Sequence, residues 1–250
     1  GLFDPDAPEG ESLFDHTVWC FASDGDLQEG VSGEASSVAG TQQLGNLVVI
    51  YDDNKISIED DTNIAFTEDV GKRYEAYGWH VQHVDDGEDL AAVDAAIAAA
   101  KAETGRPSLI VLRTIIAWPA PNKQNTGAAH GSALGDDEVR ATKEVLGFDP
   151  EQTFAVDEEV LAHARSVVEK GRKEHAEWDE RFAAWQRANA DAAALLERMR
   201  TRTLPEGFGA DLPSWDADPK GVATRKASGE VLKALADVLP ELWGGSADLA

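Results

Sequence analysis

Cysteine is nearly absent: Cys20 is the single one in 250 residues. One thiol cannot close an intrachain disulfide. A disulfide-stapled secreted scaffold is therefore excluded, and a reducing compartment, the cytoplasm, is expected. Cys20 lies inside an apolar run and reads as a buried small residue, not a nucleophile. No uninterrupted run approaches the roughly 18 apolar residues of a membrane-spanning helix, and no signal peptide is recognisable. Basic residues are scarce: 22 Lys and Arg stand against 47 Asp and Glu, a formal net charge of −25. Such a surface repels nucleic acid and anionic membranes. It reads as a solvated exterior suited to solubility or to a salty cytoplasm. Familiar phosphate-binding patterns are missing as well. There is no Gly-x-x-x-x-Gly-Lys-Ser/Thr loop, and no Gly-x-Gly-x-x-Gly follows the first apolar run. Asp24-x-Asp26 could open an EF-hand, but Glu29 and Ala35 stand where that loop requires glycine and glutamate. Gly1 stands where an initiator Met would, and the chain stops just after a Gly-Gly turn, so both ends read as cut from a longer protein.

What is present centres on Ser23–Ile58. The apolar run Thr17–Ala22 leads into Asp24-Gly25-Asp26. A segment rich in small residues follows, with Gly33, Ala35, Ser36, Ser37, Ala39 and Gly40. A second apolar run, Leu47–Tyr51, ends in Asp52-Asp53-Asn54. The pattern predicts strand, acidic loop, helix over Leu27–Leu44, strand, and acidic/amide loop. In a parallel βαβ unit both loops lie at the carboxyl edge of the sheet, where α/β folds bind ligands. Each offers hard oxygen donors, which suits Mg²⁺ or Ca²⁺ carrying a phosphate. Asp-Gly and Asp-Asp-Asn are also ordinary turn sequences; it is their joint occurrence, each after an apolar strand, that favours a site.

Further along, a helix is predicted from Thr67, as N-cap, to Tyr77, and a strand over His80–Val84. An Ala-rich helix over Asp89–Lys101 and a strand within Pro107–Thr114 follow. This order implies an α/β fold with a doubly wound parallel sheet. Trp118–Gly135 holds two prolines and three glycines and reads as a long irregular loop, a kind that is usually functional or disordered. A short helix over Asp136–Leu146 is expected next. Asp157–Met199 is charged and Ala-rich, with Trp178, Phe182 and Trp185 at helical spacing, and predicts one or two amphipathic helices. Leu204–Pro219, with three prolines, reads as a linker. Val222–Val238 predicts a helix and Leu242–Asp248 a strand-like run. His16, His80, His83, His163 and His175 show no ligand spacing.

Ser23-Asp24-Gly25 followed by Asp52-Asp53-Asn54 resembles the signature of thiamine-diphosphate enzymes, which opens Gly-Asp-Gly and closes Asn-Asn. Within that group several stretches resemble the transketolase family. They are Asp-Leu-Gln-Glu-Gly (26–30), Glu-Ala-Ser-Ser-x-Ala-Gly (34–40) and Tyr-Asp-Asp-Asn-x-Ile-Ser-Ile (51–58). Tyr-Glu-Ala-Tyr-Gly-Trp-His (74–80), Ala-Pro-Asn-Lys (120–123), His-Gly (130–131), Ala-Thr-Arg-Lys-Ala-Ser (223–228) and Gly-Gly-Ser-Ala-Asp-Leu (244–249) complete the match. Two positions depart from the general signature. Ser23 replaces its first Gly, and Asp53 replaces the first Asn of the closing pair, as transketolases themselves do.

The resemblance implies a domain order and a set of roles. Residues 1–135 would be the later part of a diphosphate-binding domain. Residues 136–220 would be a helical linker region, and 221–250 the start of a pyrimidine-binding α/β domain. Asp24, Asn54 and the carbonyl of Ile56 would hold Mg²⁺ (or Ca²⁺ or Mn²⁺) on the diphosphate of thiamine diphosphate. Gly25 would lie against that diphosphate, Ile58 near the aminopyrimidine, and Glu29 near the interface of a homodimer, linking the two cofactor sites. His130 would contact cofactor and substrate as the catalytic histidine. Arg225 and Ser228 would bind the sugar phosphate, and Asp248 would orient the cofactor from the partner subunit. The implied activity is transfer of a two-carbon glycolaldehyde unit from a ketose phosphate to an aldose phosphate. The family's catalytic Glu would lie past Ala250 and further histidines before Gly1, so the chain alone is expected to be inactive. A sister enzyme such as dihydroxyacetone synthase or deoxyxylulose phosphate synthase would share the metal loops. A non-catalytic relative or an oligomerisation module is the remaining alternative.

Overall fold

The computed structural model describes residues 3–4, 7–8 and 10–245. The chain divides into two compact units, one of His16–Leu161 and one of Gly1–Asp15 with Ala162–Ala250.

The first unit carries a four-stranded parallel sheet: β1 (Val18–Ser23), β2 (Leu47–Asp53), β3 (His80–Val84) and β4 (Ser108–Arg113), in spatial order β1-β2-β4-β3. Its helices are α1 (Asp24–Gln28), α2 (Gly30–Thr41), α3 (Val70–Ala76), α4 (Leu90–Ala102) and α5 (Asp136–Val145). Alternation along β2 and β4 sends side chains into two cores, as the period of a strand requires. Val49, Tyr51, Leu109 and Val111 pack with Leu27, Ala39, Val70 and Tyr74 of α1–α3. Val48, Ile50 and Ile110 pack with Ala96 and Ala100 of α4. The sheet is thus covered on both faces, as the doubly wound pattern predicts. Small residues in α2 permit close packing: a Cβ on Gly40 would stand 1.9 Å from the carbonyl oxygen of Tyr77.

Several expectations need correction. Cys20 is exposed. β1 is an edge strand, and Val18, Trp19 and Phe21 are exposed with it; an apolar strand is buried only where neighbours cover both of its faces. The acidic turn at 24–26 is helical. Ser23 Oγ accepts the Asp26 N–H while the Asp26 carboxylate accepts the Ser23 N–H at 2.7 Å, a capping box that starts α1. Glu29 then breaks the expected single helix with extended backbone (φ −68°, ψ 133°). The third helix is capped by Asp69, not Thr67. Residues 242–245 form no strand, and 246–250 lie outside the described residues.

Most of α6 (Glu158–Ala188) and all of α7 (Ala190–Thr201) and α8 (Thr224–Ala236) belong to the second unit, and they bear out the helical reading. Trp178 stacks on Phe182 at 4.7 Å, Phe182 on Trp185, and Phe14 meets Trp185 edge-on at 5.0 Å. Arg198 and Glu241 form a two-pronged ion pair that ties α7 to the segment after α8. Among the described residues no helix is long and apolar enough to cross a membrane.

Candidate functional site

Register places the ends of three strands side by side. Ser23 of β1 pairs with Asp52 of β2, and Asp53 of β2 with Arg113 of β4. The loops after β1, β2 and β4 therefore open at one edge of the sheet. The third of these is the long loop that carries His130.

Asp24 is the first residue of α1 and is 2% exposed. Its Oδ1 accepts the Tyr51 hydroxyl at 2.6 Å, and its Oδ2 accepts the Lys55 N–H at 3.1 Å. Lys55 reaches this position with a left-handed backbone (φ +64°). Burial pushes the Asp24 carboxyl above its ordinary range, against the pull of the Tyr51 hydrogen bond. Burial and the neighbouring Asp24 carboxylate raise the Tyr51 hydroxyl strongly, so it remains a donor. No basic side chain forms an ion pair with Asp24 among the described residues. Lys55, the nearest candidate, pairs with Asp53 at 2.7 Å.

Asn54 is held between neighbours. Its Oδ1 accepts the Ile56 N–H at 2.9 Å and its Nδ2 donates to Asp52 at 3.3 Å. Thr114, from the end of β4, donates to the other Asp52 oxygen. Ile56 is buried, and its segment folds back on Asp61. These groups fit a hard divalent cation: a buried carboxylate that forms no ion pair among the described residues, an amide oxygen and a main-chain carbonyl. No group of three or more His, Cys, Asp or Glu suited to a metal occurs among the described residues. The expected donor set holds one carboxylate, so a cation here would draw its remaining oxygens from water and a phosphate ligand.

Two residues past Ile56, Ile58 is 70% exposed and lines a cavity of about 620 Å³ together with Asn125, Thr126, His130 and Gly131. His130 is exposed and is fixed through its main chain, its N–H donating to Gly127 O at 3.0 Å. Gly127 lets the loop lie flat on the β2–α3 connection; a Cβ there would stand 3.2 Å from Asp60 Cα. The structure thus unites Asp24, Asn54 and Ile56 in one cluster, and His130 with Ile58 at one cavity. Gly25 and Glu29 are exposed beside the cluster's helix, Gly25 in α1 and Glu29 between α1 and α2. Arg225 and Ser228 are exposed one turn apart on α8 of the second unit. Asp248 lies outside the described residues.

Residues 1–205 match the family model described as transketolase, thiamine diphosphate binding domain. The chain belongs to the transketolase family. It is 58% identical to the transketolase of Mycobacterium tuberculosis over 250 residues, covering all of this chain and 36% of that protein. Among solved structures, transketolase from Leishmania mexicana superposes with a TM-score of 0.88 at 38% identity, covering 97% of this chain and 36% of that one. A transketolase complex with sedoheptulose-7-phosphate from Pichia stipitis gives 0.85 at 44% identity, covering 94% and 35%. The chain therefore spans about a third of the length of the transketolases it matches.

Three contributors to the geometry of this candidate site are not evident from the motif alone. Ser23, the departure from the general signature, caps α1 and sets where Asp24 emerges; the Ser-x-x-Asp spacing signals this. Tyr51 reads as one more apolar strand residue, yet its hydroxyl reaches Asp24. Thr114 acts only because β4 inserts beside β2, which local sequence does not encode.

Proposed function

We propose that the full-length protein is a transketolase, moving a two-carbon ketol unit from a ketose phosphate to an aldose phosphate. The observation that carries this is Asp24, a buried carboxylate with no ion pair among the described residues, at the neighbouring ends of β1 and β2, in a chain of this family. Asp24, Asn54 and the Ile56 carbonyl hold Mg²⁺, with Ca²⁺ or Mn²⁺ as substitutes, and the cation secures the diphosphate of thiamine diphosphate. When bound, that cofactor supplies the carbon nucleophile and electron sink for breaking and forming the carbon–carbon bond.

This chain's residues bind, orient and handle protons. Gly25 presents bare backbone to the diphosphate. A Cβ there would meet nothing nearer than Ser23 Oγ at 3.9 Å, so the use of glycine lies in the approach of a ligand. Ile58 gives the aminopyrimidine an apolar wall. His130, across the same cavity, holds a proton toward the substrate oxygens as charge develops there. Arg225 and Ser228 take the phosphate of the sugar, the guanidinium matching a phosphate monoester. Glu29 links the two sites of a homodimer, and Asp248 orients the cofactor of the partner subunit. Residues 1–135 serve as diphosphate-binding domain, 136–220 as helical linker region and 221–250 as the opening of a pyrimidine-binding domain. The setting is the pentose phosphate pathway in the cytoplasm. The sugar phosphates named for the Pichia stipitis structures support the substrate class.

The test is ketol transfer from xylulose 5-phosphate to ribose 5-phosphate by the full-length protein, with thiamine diphosphate and Mg²⁺. Absence of transfer overturns the reading. The isolated 250 residues are expected to be silent in the same assay.

A further inference from the structure

The loop that presents His130 is closed by a carboxylate outside the family motifs quoted above. Glu138 sits in the first turn of α5 and is 7% exposed. Its Oε1 accepts the main-chain N–H of Asn122 at 2.7 Å and that of Lys123 at 3.1 Å. Its Oε2 accepts Asn122 Nδ2 at 2.9 Å. No basic side chain pairs with it among the described residues; its partners are donors from one turn only. The contact joins the Pro121-Asn122-Lys123 turn to the start of α5, and so staples both ends of the stretch that contains Asn125, Thr126 and His130. Those three residues line the cavity shared with Ile58.

Inside the staple the loop has further short-range support. Asn125 N–H donates to Ile116 O at 2.9 Å and Thr126 Oγ1 to Lys123 O at 2.7 Å. Among the described residues, the hydrogen bond that ties down His130 itself is its main-chain bond to Gly127. Its position therefore depends on where the loop as a whole is anchored. An ordinary surface glutamate in a helix's first turn interacts with its own helix; Glu138 is buried and aims every accepted bond at the preceding loop. The Asn122 side chain and the main-chain donors hold its carboxyl below the ordinary range, consistent with a carboxylate kept ionised by those contacts.

We infer that Glu138 is a positioning residue, whose carboxylate clamps the Asn122–Lys123 turn and thereby sets His130 over the cavity it shares with Ile58. The inference rests on the ketol-transfer reading for its kinetic consequence, but not for the clamp itself. E138A in the full-length protein should speed tryptic cleavage after Lys123 by about tenfold, because cleavage follows the population of the opened loop. It should lower kcat by about tenfold to a hundredfold, since small misplacements of a reacting group have effects of that size. E138Q keeps an acceptor for both main-chain N–H groups and should restore most of both losses. A cycle with H130A separates positioning from general damage: in the H130A background E138A should lower kcat by less than about twofold. Unchanged cleavage after Lys123 in E138A overturns the clamp, and so does E138Q behaving like E138A. Equal losses from E138A with and without His130 overturn the route through His130. If wild type shows no ketol transfer, the activity reading falls, and cleavage after Lys123 still decides the clamp.

Discussion

Asp24 and Glu138 are both acids in the first turn of a helix, and both are buried. Their surroundings push them in opposite directions. Glu138 accepts three N–H bonds and its carboxyl is held low by Asn122. Asp24 accepts one hydroxyl and one N–H, yet burial dominates and its carboxyl is pushed up. A buried anion whose donors satisfy it is a structural device. A buried anion left short of positive charge persists when something else supplies that charge, and a bound cation inverts the local balance. The same residue class at the same helical position thus marks a clamp in one place and a site in the other.

Replacing Asp24 tests this contrast most severely. D24N should weaken Mg²⁺-dependent thiamine diphosphate binding by about a hundredfold or more, larger than the effect typical of residues behind the ligands. The same variant should leave the cofactor-free protein as stable as wild type or raise its Tm by about 1–3 °C. Asparagine can accept from the Lys55 N–H and donate to the Tyr51 oxygen, so both ends of the new amide stay hydrogen-bonded. Calorimetry of binding and thermal scans without cofactor check the two halves. Loss of stability in the cofactor-free D24N protein would place Asp24 with the structural acids.

Tyr51 comes next. Y51F deletes the hydroxyl that reaches Asp24 Oδ1 and leaves a buried carboxylate with the Lys55 N–H alone. Stability should fall by about 1–3 kcal/mol, the usual effect of stranding a buried acceptor. Mg²⁺-dependent binding should weaken by about tenfold, within the range for groups that orient a metal ligand. Urea unfolding and cofactor titration measure both, and a silent Y51F would show that Asp24 is held by Lys55 only.

Much of this was legible in the chain. Leu47–Tyr51 and Leu109–Leu112 announce themselves as strands, Asp89 caps the Ala-rich helix that follows it, and the two oxygen-rich loops follow from βαβ logic. What escaped depends on neighbours distant in sequence. Cys20 sits in a run that looks buried, but exposure depends on β1 being an edge strand. The His130 loop joins the same edge as Asp24 because β4 lies between β2 and β3, a matter of strand order that no local pattern carries. Tyr51 and Glu138 look ordinary until the partner across the fold is known. The Ser23–Asp26 capping box is local, carried by the Ser-x-x-Asp spacing alone.

Acidification should separate the two carboxylates by sign. Glu138 has its folded pKa depressed, so its contribution is present above the unfolded carboxylate range and is lost as pH falls through the folded value. Asp24 has its folded pKa raised above 3.8, so the penalty of its charge is fully present above the folded value and vanishes below the unfolded one. The Tm advantage of D24N should therefore be seen at neutral pH and shrink as the solution is acidified toward 3.8. Protection of the Asn122 and Lys123 amides against hydrogen exchange, corrected for intrinsic rates, should survive to below the ordinary glutamate value of about 4.3 and then fade. A D24N advantage that grows on acidification would reverse the contrast.

The smallest expected effect refines the clamp. N122A removes the Nδ2 donor at 2.9 Å but keeps both main-chain N–H groups on Oε1. Two of three bonds to Glu138 survive, and Oε2 loses its partner. Tryptic cleavage after Lys123 should rise by about twofold, the size of one modest hydrogen bond partly replaced by water, well short of E138A. An N122A effect equal to that of E138A would mean that the Asn122 side chain, and not the main-chain pair, carries the staple. The sequence Asn122-Lys123 would then matter for its side chain, where the present geometry makes it matter for its backbone.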